Sequence, residues 1–217
     1  MNPAPVLLTG FAPFAGEATN PSREIVRALA GRTLVGHRVI TAELPVVFGR
    51  ANVALAAAIA DARPALAIAI GQAGGRNCIS LERVAINLID ARIPDNDGCQ
   101  PIDEPVIAGA PSAYFSTLPV KAMQAAMRAA GVPTEVSFSA GSFVCNAVFF
   151  ALMHRFADAP GHARGGFIHV PYLPAQAAQH PGAPSMDLET MIRGVAIAVE
   201  AALANADDAR VAGGNLD

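Results

Sequence analysis

Three residues of this 217-residue chain have the types that could do nucleophilic chemistry together: Cys145, His169 and Glu82. Cys145 follows a segment in which Val136, Phe138 and Ala140 alternate with Ser137 and Ser139, the period-2 mark of a strand. Gly141 and Ser142 supply a turn, because glycine tolerates backbone angles that other residues avoid. From Val148 to Phe156 the apolar residues recur at helical spacing. This strand, elbow and helix put a thiol near a helix N-terminus. There the unpaired N–H groups and the positive end of the dipole favour a thiolate, and can stabilise an oxyanion formed by its attack on a carbonyl. The same thiol also fits the role of a small buried hydrophobe, and the local pattern does not decide. A thiolate nucleophile needs a base to carry its proton and a third group to fix that base's tautomer. His169 lies in the strand-like Gly165–Tyr172 and Glu82 in the strand-like Ser80–Ile89, with Glu82 and Arg83 on opposite faces. The plain reading of Glu82 is a surface carboxylate. Spacing alone does not bring the three together.

The elements that must position them can be read in order. Val6–Thr9 is a buried strand opening into a loop, Gly10 to Gly16, with Phe11 and Phe14 on either side of Pro13. These rings either cover the sheet end or form the walls of a ligand pocket beyond a strand's carboxyl end. Asn20 and Pro21 read as N-cap and first residue of a helix striped by Ile25, Val26 and Leu29. A strand over Arg38–Leu44, a helix over Phe48–Ala62 and a buried strand over Leu66–Ile70 follow. The exit loop Gly71–Arg76, with Gln72, is Gly-rich but lacks both the G-x-G-x-x-G spacing and the Walker lysine. Residues 91–112 form a long loop, of the kind that often works as a lid. A helix over Val120–Gly131 ends at glycine. The last helix starts around Ser185, Asp187 and Glu189 and runs to about Leu203. Alternating strands and helices predict an α/β fold, three layers α/β/α, with a mixed, mostly parallel twisted sheet. The chain reads as a single catalytic domain over 1–217, its tail frayed from about 205.

Composition narrows the function. Hydrophobic residues make up 53% and charged residues 15%, which argues for a packed core. The net charge of -3 and the absence of a Lys/Arg cluster argue against nucleic acid as a partner. No apolar run is long enough to span a bilayer, and the N-terminus lacks the basic region and apolar core of a signal peptide. A cytoplasmic location is expected. The cysteines, 3 in number (Cys78, Cys99, Cys145), suggest neither a disulfide framework nor a zinc site. His37, His154, His162, His169 and His180 show no metal-ligand spacing, so no metal is expected.

Five segments together resemble the pyroglutamyl peptidase I (pyrrolidone-carboxylate peptidase) family of cysteine peptidases. They are Thr9–Phe14 with Asn20-Pro21-Ser22, Gly71–Arg76 through Leu81–Asn87, Ala91–Asn96, Ser139–Asn146 and Gly165–Tyr172. The resemblance implies a cysteine exopeptidase that hydrolyses the bond after an N-terminal pyroglutamyl residue, through a thioester acyl-enzyme. It implies Cys145 as nucleophile, His169 as general base and acid, and Glu82 as the group orienting His169. Arg92 and the backbone N–H of Cys145 would contribute to the oxyanion hole. Phe11 and Phe14 would sandwich the flat lactam, Gln72 would hydrogen-bond its amide, and Ile93, Phe143 and Val144 would line the pocket. The fold it implies is similar to that of the purine nucleoside phosphorylases. The family needs no metal or other cofactor and is typically a cytoplasmic homo-oligomer, dimer or tetramer. Pyroglutamate has no ammonium, so a pocket of aromatic walls and lactam-directed hydrogen bonds suits it, and proline should be rejected.

The chain departs from that pattern at Ala12 and Ala15, in the Phe-x-Pro-Phe-Gly-Gly run, and at Val46, where threonine is common. Two other readings carry their own discriminators. A phosphorylase-like transferase predicts phosphate dependence and no thiol requirement, and a silent binding module predicts an intact pocket without turnover.

Overall fold

A computed structural model describes residues 3–157 and 163–213, so His162 and residues 214–217 lie outside the described residues. Its centre is a seven-stranded sheet, with strands in the order β2-β3-β1-β4-β9-β5-β8. The strands are β1 (Val6–Phe11), β2 (Thr33–Leu34), β3 (His37–Leu44), β4 (Leu66–Gln72), β5 (Ile79–Glu82), β8 (Thr134–Ser137) and β9 (Arg164–Val170). β3, β1, β4 and β9 run parallel; β5 is antiparallel to β9 and parallel to β8. A small antiparallel pair, β6 (Val84–Ile86) and β7 (Ala113–Phe115), lies to the side.

The sheet is covered on both faces, and its central strands β1 and β4 are buried at every position. In β4, Leu66, Ile68 and Ile70 point into one core, and Ala67 and Ala69 into the other. The first core is closed by α1 (Pro21–Leu29), α3 (Val120–Ala129) and α6 (Leu188–Ala204), the second by α2 (Arg50–Ala62) and α4 (Val144–Ala157). This is the three-layer, mostly parallel α/β arrangement expected. Among the described residues no helix is long and apolar enough to cross a membrane.

The helix ends follow local chemistry. Asn20 caps α1 by accepting from Ser22 N at 3.1 Å, with Pro21 as its first residue. The last helix begins where Asp187 accepts from Thr190 N. α3 has no side-chain cap of its own; Asp208, in the stretch expected to fray, accepts from Lys121 N and Ala122 N instead.

Several boundaries differ from the sequence reading. The strand expected over 136–140 is β8 at Thr134–Ser137, because its partner β5 ends at the Glu82–Ser137 pair. Phe138 is left exposed. The single strand expected over Ser80–Ile89 is two: at Arg83 the chain leaves the main sheet and continues against β7. Phe11 and Gln72 are the last residues of β1 and β4, not loop residues, since pairing with β3 and β9 continues to Leu44 and Val170. α2 starts at Arg50, because Asp95 holds Phe48 N and Gly49 takes φ of 74°. Patterns of a few residues did not reveal β2, β7 or α5 (Pro174–Ala177).

Candidate active site

The reversal of β5 against β9 brings Glu82 to His169. Glu82 is the register partner of Phe167, so its side chain shares a face with Phe167 and reaches His169 diagonally. His169 Nδ1 stands 2.8 Å from Glu82 Oε1, and both residues are buried, Glu82 at 0% exposure. The Glu82 carboxylate is therefore no surface group.

Cys145 is the second residue of α4 and reaches the same point from the layer above the sheet. Gly71 is the register partner of His169, and a Cβ placed on it would come within 2.8 Å of Cys145 Sγ. The thiol thus lies over the bare backbone of β4, beside the strand end that carries His169.

The electrostatics run against a free thiolate. Burial, reinforced by the Glu82 charge and opposed by Arg76, pushes the Cys145 thiol up to about 12. Burial also draws His169 below its ordinary value, with the Glu82 hydrogen bond and charge pulling it back up and Arg76 adding to the lowering. Desolvation acts against the helix N-terminus, which favours the thiolate. Both shifts favour the neutral thiol and the neutral imidazole.

The other residues singled out in the sequence lie around this centre in two groups. Phe11 is buried at 2% and its ring centroid lies 6.3 Å from that of Phe167, whose ring is in turn 4.8 Å from His169. Phe14 and Phe143 face each other at 6.4 Å, and Val144 lies buried beneath them in the α2/α4 core. Ile93 is half-buried and Arg92 exposed on the long loop, near enough to Tyr172 to act on its charge. The Gln72 side chain is engaged elsewhere: its Oε1 accepts from Gln176 Nε2 at 3.0 Å.

Four participants were not singled out from sequence. Arg76 donates to Glu82 Oε1 at 2.7 Å and to Ser139 O at 2.9 Å. Gln176, on α5, donates to Gln72 and to Glu17 and Thr19 of the β1–α1 loop. Asn146 accepts from Ile86 N and donates to Ile86 O and Leu88 O, tying the start of α4 to the chain that leads into Arg92. Phe48 packs edge-on against Phe143 at 5.2 Å. The one sequence signal was Asn146, a polar residue in the first turn of a helix apolar from there to His154.

A model of the pyroglutamyl peptidase family matches residues 4–205. Pyrrolidone-carboxylate peptidase 1 of Ralstonia nicotianae is 56% identical over 211 residues, 97% of this chain and 98% of that protein. The pyrrolidone-carboxylate peptidase of Cupriavidus taiwanensis is 57% identical, with 97% and 98% covered. Among solved structures, pyroglutamyl peptidase I from Bacillus amyloliquefaciens superimposes with a TM-score of 0.94 at 43% identity, over 97% of this chain and 100% of that one.

Proposed function

This chain belongs to the pyroglutamyl peptidase family and is a pyroglutamyl-peptidase I, and from that premise we propose that Cys145, His169 and Glu82 carry out the hydrolysis. The observation that carries the proposal is the buried hydrogen bond from His169 Nδ1–H to Glu82, with Cys145 Sγ packed over Gly71 next to it. With Nδ1 committed as a donor, Nε2 keeps its lone pair and serves as the base.

Cys145 Sγ attacks the carbonyl carbon of the pyroglutamyl residue while its proton moves to His169 Nε2. Burial favours the neutral form of both groups, which suits transfer as the S–C bond forms. The imidazolium formed is stabilised by the Glu82 carboxylate. The oxyanion takes hydrogen bonds from the Cys145 N–H, at the start of α4, and from Arg92. His169 then gives the proton to the leaving amine as the C–N bond breaks, leaving a thioester. Water, deprotonated by His169, attacks the thioester; the S–C bond breaks and the thiol is restored.

Substrates are peptides with an N-terminal pyroglutamate. Phe11 and Phe14 flank the lactam, with Ile93, Phe143 and Val144 completing the walls. Pairing of β4 with β1 stops at Ala69 although β4 runs on to Gln72 along β9. Ala73 N donates to Val170 O, so the main-chain groups of its neighbour Gln72 turn to the open side. An N–H and a C=O there match the C=O and N–H of a lactam, which favours main-chain recognition by Gln72. The same reading gives one catalytic domain acting as a cytoplasmic homo-oligomer, dimer or tetramer, without a metal or cofactor.

The test is release of a chromophoric amine from a pyroglutamyl amide, run beside Cys145→Ala and a prolyl amide. Turnover by the wild type alone, confined to the lactam substrate and blocked by iodoacetamide, is expected. Turnover retained by Cys145→Ala, or none by freshly reduced folded protein, overturns the assignment.

A further inference from the structure

Glu82 is wholly buried, yet its Oε1 receives two hydrogen bonds and its Oε2 none. Two hydrogen bonds to one oxygen do not by themselves keep a buried carboxylate charged; a counter-charge does. His169, drawn toward the neutral form, does not supply it at rest. Arg76 does, from the loop between β4 and β5, with one guanidinium nitrogen 2.7 Å from Oε1.

We propose that Arg76 is a positioning residue of this site: it pairs with Glu82 beside His169 and ties it to the turn that leads into the Cys145 helix. The inference rests on the assignment of Cys145, His169 and Glu82 made above.

The second guanidinium nitrogen donates to Ser139 O, in the segment between β8 and α4. That segment is also held by short local bonds, Ser139 N to Ser137 Oγ and Gly141 N to Ser139 Oγ, and by Ser142, whose Oγ donates to Asp90 O and whose carbonyl accepts from Asp90 N. One side chain thus links the triad carboxylate to the elbow that sets the thiol. The charge bookkeeping explains why it must be a cation. With Arg76 and Glu82 paired, the site is neutral both before and after the proton moves from Cys145 to His169. With Arg76 gone, the Glu82 charge acts on His169 unopposed, so His169 is drawn toward holding a proton at rest, without a lone pair for the thiol.

The groups facing Arg76 and Glu82 are few. His169 comes from β9, Cys145 from α4 and Cys78 from the same loop as Arg76. Glu135 of β8 accepts from Ser80, and Arg128 of α3 donates to Thr134 O. Arg76 lowers the pKa values of Cys145 and His169, and Glu82 raises both, so removing the cation moves both upward.

The experiment compares Arg76→Met, Arg76→Gln and Arg76→Lys in a Cys78→Ala, Cys99→Ala background, where Cys145 is the one thiol left. It records kcat/KM for a pyroglutamyl amide and iodoacetamide alkylation of Cys145, each against pH. In Arg76→Met the acid limb of kcat/KM moves up by about one pH unit or more, and alkylation at fixed pH slows. Arg76→Lys, which keeps the charge, returns the acid limb toward the wild-type position; should Arg76→Met fail to fold, Arg76→Gln removes the charge while keeping a hydrogen-bonding side chain. Wild-type pH profiles in the uncharged variants overturn the inference, as does a lysine variant displaced as far as methionine. Turnover by Cys145→Ala sinks the underlying triad instead, so the two failures are distinguishable.

Discussion

A Cβ on Gly71 would stand 2.8 Å from Cys145 Sγ and 2.8 Å from Phe167 Cζ. The space above this backbone holds the thiol proposed as nucleophile, and glycine is needed there for its lack of volume. Gly71→Ala must push the thiol or the Phe167 ring aside. A displacement approaching 1 Å at a reacting atom costs on the order of 100-fold in rate, and overpacking costs about 1–3 kcal/mol of stability. Kinetics and thermal melts of the purified variant check both; a variant with wild-type kcat/KM places the working thiol elsewhere.

The same relationship shows which parts of the site were legible in the sequence. A glycine after a buried apolar strand reads as a loop, and so do Gly71 and Gln72. In the fold both remain in β4, because β9 pairs with it to the end. Cys145, His169 and Glu82 were legible through residue type and motif, and the helix that carries Cys145 through its apolar spacing. What no local pattern encodes is the reversal of β5 against β9, which puts Glu82 diagonal to His169. Nor does a local pattern show that Arg76 turns back onto Glu82, or that Gln176 meets Gln72, 104 residues away. The direction of the Cys145 shift is hidden for a related reason. A helix N-terminus is visible in sequence, whereas the burial that acts against it depends on packing from β4, β9 and α4 together.

Ala15 occupies a position where glycine fits better. Its φ is 51°, in the left-handed region that a Cβ disfavours, and its side chain is exposed, so nothing packs to offset the strain. Left-handed backbone costs an L-residue roughly 1–2 kcal/mol, and glycine gives part of that back as entropy of the unfolded chain. Ala15→Gly is expected to raise stability by about 0.5–1 kcal/mol. Urea unfolding measures it, and a lower midpoint for the variant contradicts the argument.

Stability should peak between two titrations. His169 is drawn below the ordinary 6.5, so as pH falls past that value the unfolded chain takes up the proton first and the fold is disfavoured. Stability tied to neutral His169 is therefore complete above about 6.5 and lost below it. Cys145 moves from the ordinary 9.0 to about 12, so as pH rises past 9.0 the unfolded chain releases its proton first and stability falls again. Cys78, raised to about 11, adds to the same alkaline loss. Melting temperatures across this range should trace a plateau with two falling limbs. Cys145→Ala should flatten part of the alkaline limb and Cys78→Ala a smaller part. An alkaline limb unchanged in the double variant assigns the loss to other groups.

Gln176 is the knot joining the aromatic loop to the end of β4. It is buried at 2%, accepts from Leu173 N, and donates its amide hydrogens toward Glu17 Oε2, Thr19 O and Gln72 Oε1. Acceptors on one side and a donor on the other fix its orientation, and that in turn fixes the Gln72 amide. Glu17 is itself held by His180 Nε2 at 2.8 Å, and the His180 ring stacks on Tyr172 at 4.8 Å. The loop so fastened carries Phe14, one wall proposed for the lactam. Gln176→Met keeps the bulk but leaves these partners without their hydrogen bonds, at a cost of about 1–3 kcal/mol. A looser Phe14 loop should then raise KM for a pyroglutamyl amide several-fold, roughly 3–10-fold for a contact of about 1 kcal/mol, with a smaller effect on kcat. The same change made in a Phe14→Ala background should add little to KM, because the wall it steadies is already gone. Full additivity of the two substitutions would mean that Gln176 reaches the pocket by some route other than this loop.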